Sequence, residues 1–197
     1  MVDAAGSRIH ARERLGGVEV IVSGTKELSA PRDTVWGVIN EPSEMAKLMP
    51  GVESFEIQDE KHWTAKVKVP LGLGGLKMTM NFERLEDRAP EFASMRAKGQ
   101  GVGALMDMKT SFTLSEAGAG TSMAWEADVK IAGPVGAMGQ RVLQPIVNQQ
   151  VTQVLEALET RVSAAASTGG AEHGIHPASP EAYEAEPEGP THSTTES

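Results

Sequence analysis

The chain of 197 residues has no cysteine, only eight aromatic residues (four Phe, three Trp, one Tyr), and five histidines, three of them beyond residue 170. Without cysteine there is no disulfide, no thiol nucleophile and no thiolate metal site, a composition suited to a reducing compartment. Long apolar runs are missing too. None approaches the ~18 residues that span a bilayer, and the N-terminus lacks the apolar core of a signal peptide. These absences predict a soluble, cytoplasmic protein. Basic charge is also short: 18 Lys and Arg stand against 27 Asp and Glu, a formal net charge of −9. No basic patch is interleaved with aromatics, so nucleic acid is not an expected partner.

Much of the negative charge lies at one end of the chain. Residues 167–197 contain six Glu and no Lys, Arg, Leu, Val, Phe, Met or Trp. So little apolar surface cannot offset the entropy of ordering a backbone, which predicts a disordered acidic tail. The remaining 166 residues then carry −3, and 16–166 form one domain long enough to bury roughly 70% of its unfolded surface. Residues 1–15 are polar, with Arg8, Arg12 and Arg14 as a basic cluster. They read as a flexible, frayed extension or as a weak contact to a membrane surface.

What the chain does have is period-two alternation. Trp63, Ala65, Val67 and Val69 alternate with Lys66 and Lys68; Leu76, Met78, Met80 and Phe82 alternate with Lys77, Thr79, Asn81 and Glu83. Ala93, Met95 and Ala97 follow, then Met106, Met108, Thr110, Phe112 and Leu114, then Met123, Trp125, Ala127, Val129 and Ile131. This is the pattern of antiparallel strands with one wet and one dry face. A first strand over Gly17–Leu28 and another over Val52–Gln58 bring the expected number to seven. Between those two, Pro31 opens a short helix with Val35, Trp36 and Ile39 as its apolar stripe, and Pro42 opens a second with Met45, Leu48 and Met49 before a Pro50-Gly51 turn. Turns are expected at 59–60, 72–75, 87–90, 99–103 and 118–120. After Gly133-Pro134 the period becomes helical from Val135 through Arg161, and Pro145 is expected to kink or split that helix.

Six of the ten methionines, Met78, Met80, Met95, Met106, Met108 and Met123, fall on the dry face, and no titratable side chain shares it. A face so rich in flexible thioethers is either a packed core or the lining of an adaptable apolar site. It offers no proton-transfer group, nucleophile or metal-ligand set, so no catalytic residue is assigned and a non-enzymatic role is expected. His62 precedes the inward Trp63 and should point outward; His173 and His176 read as solvated. Gly99, Gly101 and Gly103 follow a strand but open no helix, so they read as a tight turn or bulge rather than a phosphate loop.

The order strand, two short helices, six strands, long C-terminal helix resembles the helix-grip fold of the START-like (SRPBCC) superfamily, an α+β arrangement in which a curved antiparallel sheet wraps a long helix. Within it, the chain resembles the family of carbon monoxide dehydrogenase G-subunits. Gly24, Leu28, Pro31, Val35, Trp36, the Met49-Pro50-Gly51 turn, Gly99, Gly101, Gly103, Gly120-Thr121, and Gly133, Gly136, Gly139 and Arg141 carry the likeness, which covers about residues 17 to 162. Two departures stand out. Val154, Leu155 and Leu158 occupy the part of the last helix where the family tends to have aromatics, and the chain ends in an acidic tail where some relatives have a hydrophobic anchor.

The resemblance implies a deep apolar cavity of roughly 300–1,000 Å³. The expected lining is Trp36, Met45 and Met49 from the short helices, then Trp63, Val67, Met78, Met80, Phe82, Met95, Met106, Met108, Phe112, Met123 and Trp125 from the sheet. Met138, Arg141, Val142 and Ile146 complete it from the terminal helix, where Arg141 either makes a surface ion pair or cap, or meets a polar headgroup or ligand carbonyl. An opening is expected between Met45–Met49 and Met138. The resemblance also implies an accessory role to a molybdenum-containing carbon monoxide dehydrogenase at the inner face of the cell membrane. Such a protein would carry menaquinone or ubiquinone as a non-covalent ligand, with its tail around Tyr183 docking on the dehydrogenase and a transient contact to the membrane. Two alternatives remain: a cyclase or hydrolase of the same superfamily, and a scaffold whose core is filled.

Overall fold

The computed structural model describes residues 8–14, 17–71 and 75–169. Among these residues, eight strands form one antiparallel sheet: β1 Arg8–Arg14, β2 Gly17–Leu28, β3 Val52–Ile57, β4 His62–Val69, β5 Leu76–Arg88, β6 Phe92–Gly101, β7 Ala104–Ala117 and β8 Gly120–Ala132. Their order is β1-β2-β8-β7-β6-β5-β4-β3. Strands β3 to β8 form a meander of neighbours in sequence, and β2 closes onto β8. Helices α1 Arg32–Asn40 and α2 Pro42–Leu48 connect β2 to β3, while α3 Gly133–Gly136 leads into the long α4, Gln140–Gly169. This is the α+β helix-grip arrangement expected from the order of elements.

The seven expected strands are β2 to β8. An eighth, β1, corrects the reading of residues 1–15 as frayed throughout: Arg8–Arg14 pairs with Ser23–Gly17 along the edge of β2. Its sequence, RIHARER, shows no sustained apolar alternation, so backbone hydrogen bonding to an open edge drives the pairing.

The period of the dry face is as the alternation requires. Trp63, Ala65, Val67, Met78, Met80, Phe82, Met95, Ala97, Met123, Trp125, Ala127 and Val129 are all buried, against exposed Lys66, Lys68, Lys77 and Glu126. In the short helices, α1 buries Val35, Val38 and Ile39, and Pro42 starts α2 while the Glu41 carboxylate accepts from Ser43 N–H. Gly51, at φ 74°, then makes a turn that a Cβ would strain.

Two further corrections concern the last helix. Pro145 does not split it: α4 is one continuous helix through the proline, which removes a single interior hydrogen bond. The break lies earlier, at Ala137–Gly139, where Gly139 adopts φ 79°. At its far end α4 continues to Gly169, three residues into the segment expected to be disordered, and residues 170–197, with Tyr183, lie outside the described residues. Of the turn expected at 72–75, residues 72–74 also lie outside them.

Candidate functional site

The buried residues form two clusters. One joins β2, β8, α1 and α4 through Val20, Val22, Val35, Met123, Leu155, Leu158 and Val162; the other joins β4, β5 and β6 through Trp63, Ala65, Met78, Met80, Phe82 and Met95. Met106, Met108 and Phe112 on the intervening strand β7, with Val135 of α3, touch both clusters while staying only half-buried. A central strand whose inward residues are less covered than those on either side is the floor of a groove. Thr110 lies on that floor, its hydroxyl donating to the Glu126 carbonyl at 2.9 Å.

The groove has a closed end and an open one. Trp63, Phe82, Leu114 and Met123 are buried at one end of their strands, whereas Val69, Leu76, Met106 and Ile131, at the other ends of the same strands, are half-buried. Opening is therefore directed toward the β4–β5 and β6–β7 turns and the β8–α3 junction.

Glycine shapes the methionine face. Gly99 and Gly101 sit within β6 and not in a turn, which corrects the reading of the series as a turn or bulge; only Gly103 has a positive φ, of 73°. A Cβ on Gly99 would lie 2.6 Å from Met80 Sδ, 2.9 Å from Met78 Cε and 3.2 Å from Met106 Cβ. Methionines from both neighbouring strands lean over the gap a missing side chain leaves. Gly24 does the same for Trp125, whose ring would stand 3.0 Å from an added Cβ.

At the closed end, the Trp63 ring stacks on Phe82 at 5.7 Å and 8°, and the Arg84 guanidinium lies 5.9 Å over it while donating to the Asn40 carbonyl. Trp63 is 1% exposed and its Nε1 donor is buried with no acceptor among the described residues. In α4, Asn148 Oδ1 is likewise buried and unpartnered. Unpaired buried polar atoms are uncommon, because each gives up its hydration for nothing.

Helix α4 is fastened at its C-terminal half. Leu155, Leu158 and Val162 are buried there, Lys26 of β2 reaches Glu159 at 2.6 Å, and Arg161 donates to Glu44 of α2. The Arg161 hydrogen bond, then that of Lys47 at 2.6 Å, holds the Glu44 carboxyl down at about 2. In the N-terminal half, Leu143 is the only buried hydrophobic; Val147 and Val151 are half-buried.

Of the expected lining, all the sheet residues face inward, and Met45 and Met49 pack on the second cluster. Trp36 is half-buried against the first cluster and also lines a separate cleft of about 450 Å³ with Asn40, Pro42, Ile57 and Arg84. The terminal-helix positions need correction. Met138 and Val142 are 47% and 40% exposed, Arg141 is exposed, and Ile146 is half-buried outside both clusters. The break at Gly139 shifts the helical phase, so Leu143 points inward instead. Leu143, Val147, Val151, Val154 and Leu158 form a regular stripe that was readable from the helix's far end. Val135 and Gly99 were also missed, and Thr110, read as inward, was left out of the lining; the first sits in a turn-rich stretch and the other two are not residue types that signal an apolar site. Among the described residues no group of His, Asp and Glu is placed to hold a metal ion, and no helix is long and apolar enough to cross a membrane.

Comparison with known proteins adds three findings. A family model for the carbon monoxide dehydrogenase G-subunit, CoxG, matches residues 24–163. Curated proteins give no match. Solved structures that share the fold include a conserved protein from Geobacillus kaustophilus (18% identity, 74% of this chain and 96% of that one, TM-score 0.69). Others are a START superfamily protein from Mycobacterium smegmatis (16%, 73% and 97%, TM-score 0.56) and a truncated norcoclaurine synthase from Thalictrum flavum (13%, 77% and 98%, TM-score 0.53).

Proposed function

The chain belongs to the CoxG family of carbon monoxide dehydrogenase proteins, and we propose that it is a non-enzymatic carrier of a respiratory quinone, menaquinone or ubiquinone. Family and fold support a ligand-binding accessory role. The observation that carries the finer reading is the half-buried floor of Met106, Met108 and Phe112 between two packed clusters. A filled core would have covered those side chains as it covers Met78 and Met80.

In this reading the isoprenoid chain lies along the methionine floor, where each buried methylene contributes about 0.8 kcal/mol and thioethers adapt to its shape. The quinone ring sits toward the closed end, and the Trp63 indole N–H donates to a ring oxygen. The N-terminal half of α4, with its thin packing, lifts to admit the ligand while the Arg161–Glu44 and Lys26–Glu159 contacts hold the rest in place. The protein exchanges quinone between the inner face of the cell membrane and a molybdenum carbon monoxide dehydrogenase, so linking that enzyme to electron transport.

An enzymatic reading draws on the synthase among the proteins of this fold, but the inward rows carry no acid or base, and the Thr110 hydroxyl donates to the Glu126 carbonyl. Organic extraction of the purified full chain, with mass spectrometry and ultraviolet absorption, tests the proposal. A co-purifying isoprenoid quinone, or uptake of quinone from vesicles, is expected. An empty extract together with no uptake favours the filled scaffold and sinks the carrier.

A further inference from the structure

We propose that the outer edge of β3, with the cleft beside it, takes up an extended segment of another protein in which apolar side chains alternate with Lys or Arg. Strand β3 stands last in the sheet, and among the described residues no strand pairs with its outer side. Gln58 N–H donates to the His62 carbonyl at 3.0 Å, so alternate residues of β3 bond to β4 while Phe55 and Ile57 turn their backbone N–H and C=O toward the open side. Free donors and acceptors at that spacing are a template for one more strand. The cleft gives such a strand room for its side chains. Ile57 continues the inward row of Trp63, Phe82 and Ala97, yet it is 48% exposed because the row ends there. The cleft of about 450 Å³ opens between Ile57 and the α1–α2 corner, with Trp36 and Pro42 as its apolar wall. An added strand sends every second side chain to the side of Ile57, and so into this cleft; the intervening ones fall on the side of Glu56.

Charge and pattern identify the occupant. Residues 51–60 hold four carboxylates and no Lys or Arg. Glu53 is matched by Lys77 at 3.1 Å and Asp59 is engaged by His62, but Glu56 and Glu60 are exposed and make no ion pair among the described residues. Arg84, the cation in the cleft wall, is held by the Asn40 carbonyl and by Asp87 at 3.6 Å. Unmatched carboxylates beside an unfinished apolar row fit a strand with basic residues on its outward side and apolar ones on its inward side. A second copy of this chain fits less well. Joining β3 to β3 sets two acidic edges against each other, and β1, whose sequence RIHARER is basic, has no apolar row for the cleft. Residues 170–197, with six Glu and no Lys or Arg, carry the wrong charge. The inference stands apart from the carrier reading, since the cleft lies outside the methionine groove.

Isothermal titration of the full chain with short capped peptides tests it. A peptide of alternating valine and lysine should bind, with an affinity that falls as salt rises, and the same peptide with glutamate for lysine should not. Methylating one set of alternate peptide nitrogens should abolish binding and methylating the other set should not, because only one side of an added strand faces β3. Glu56→Lys combined with Glu60→Lys should weaken binding about tenfold, and Ile57→Thr, which keeps a β-branched residue, about fivefold. These substitutions are at exposed positions, and the melting curves of both variants should overlay that of the parent. A lysine peptide that fails to bind, or that binds the doubly substituted chain as tightly as the parent, overturns the proposal. Equal binding of the lysine and glutamate peptides overturns it too, as does equal loss from the two methylation patterns or a dimer of the chain that the lysine peptide dissociates.

Discussion

At the scale of single residues, the indole of Trp63 is the sharpest point of chemistry on an otherwise apolar face. Its N–H is buried and unpaired, a condition costing on the order of 1–3 kcal/mol until an acceptor arrives. A quinone oxygen would remove that cost, so Trp63→Phe should weaken quinone binding about tenfold, while stacking on Phe82 survives and the melting temperature holds or rises. Titration of quinone into both proteins, alongside thermal melts, checks this; equal affinity would assign the indole a packing role only. The inward side of the residues on β4 to β8 was legible from alternation, since parity decides which face a side chain takes. Gly99 was not. Glycine in a sequence signals a turn, and only the methionines converging from β5 and β7 reveal that its lack of a side chain is a matter of room.

Among the elements, α4 behaves as two halves. The C-terminal half is held by buried leucines and by the pair of Arg161 with Glu44, whose carboxyl is depressed from 4.5 to about 2. A carboxylate whose folded pKa is depressed contributes stability that is present above its unfolded value and is lost as pH falls toward the folded one. The parent chain should therefore melt about 2–4 °C above Glu44→Gln near neutral pH, the gain of a partly exposed pair. That gap should close as pH drops from about 4.5 to about 2. Melting curves across this range check the expectation, and a gap that persists at the acid end would place the effect in packing. The strand boundaries of β2 to β8 were readable because period two persists over eight or more residues in most of them. The phase of α4 was not, since Pro145 is a stronger breaker on paper than Gly139, yet α4 continues through the proline and the break falls at the positive-φ glycine.

For the molecule as a whole, the tail stands apart in composition. The six glutamates of residues 167–197 carry most of the net charge, and Tyr183 is the single tyrosine of the chain. If the tail docks on the dehydrogenase, deleting residues 170–197 should weaken that interaction while leaving quinone binding intact. Surface plasmon resonance against the purified dehydrogenase measures it, and unchanged affinity would move the partner surface onto the domain. Truncation is best made after Gly169, where α4 ends, and not at 167, where composition first changes. The overall architecture was legible because the order of elements is distinctive, whereas the open end was hidden: Val69, Leu76, Met106 and Ile131 continue the inward rows, and their alternation alone does not show that they are less covered than Trp63, Phe82, Leu114 and Met123.

The pairing of β2 with β8 carries a consequence for biogenesis. It joins residue 28 to residue 121 and residue 17 to residue 132, so β2 waits for its second neighbour until nearly the whole domain has left the ribosome. The meander of β3 to β8 can assemble from local hairpins, but closure of this long loop is slow and comes last. Until then β1 shields one edge of β2 and nothing shields the other, which makes this valine-rich strand the segment of the nascent chain most in need of a chaperone.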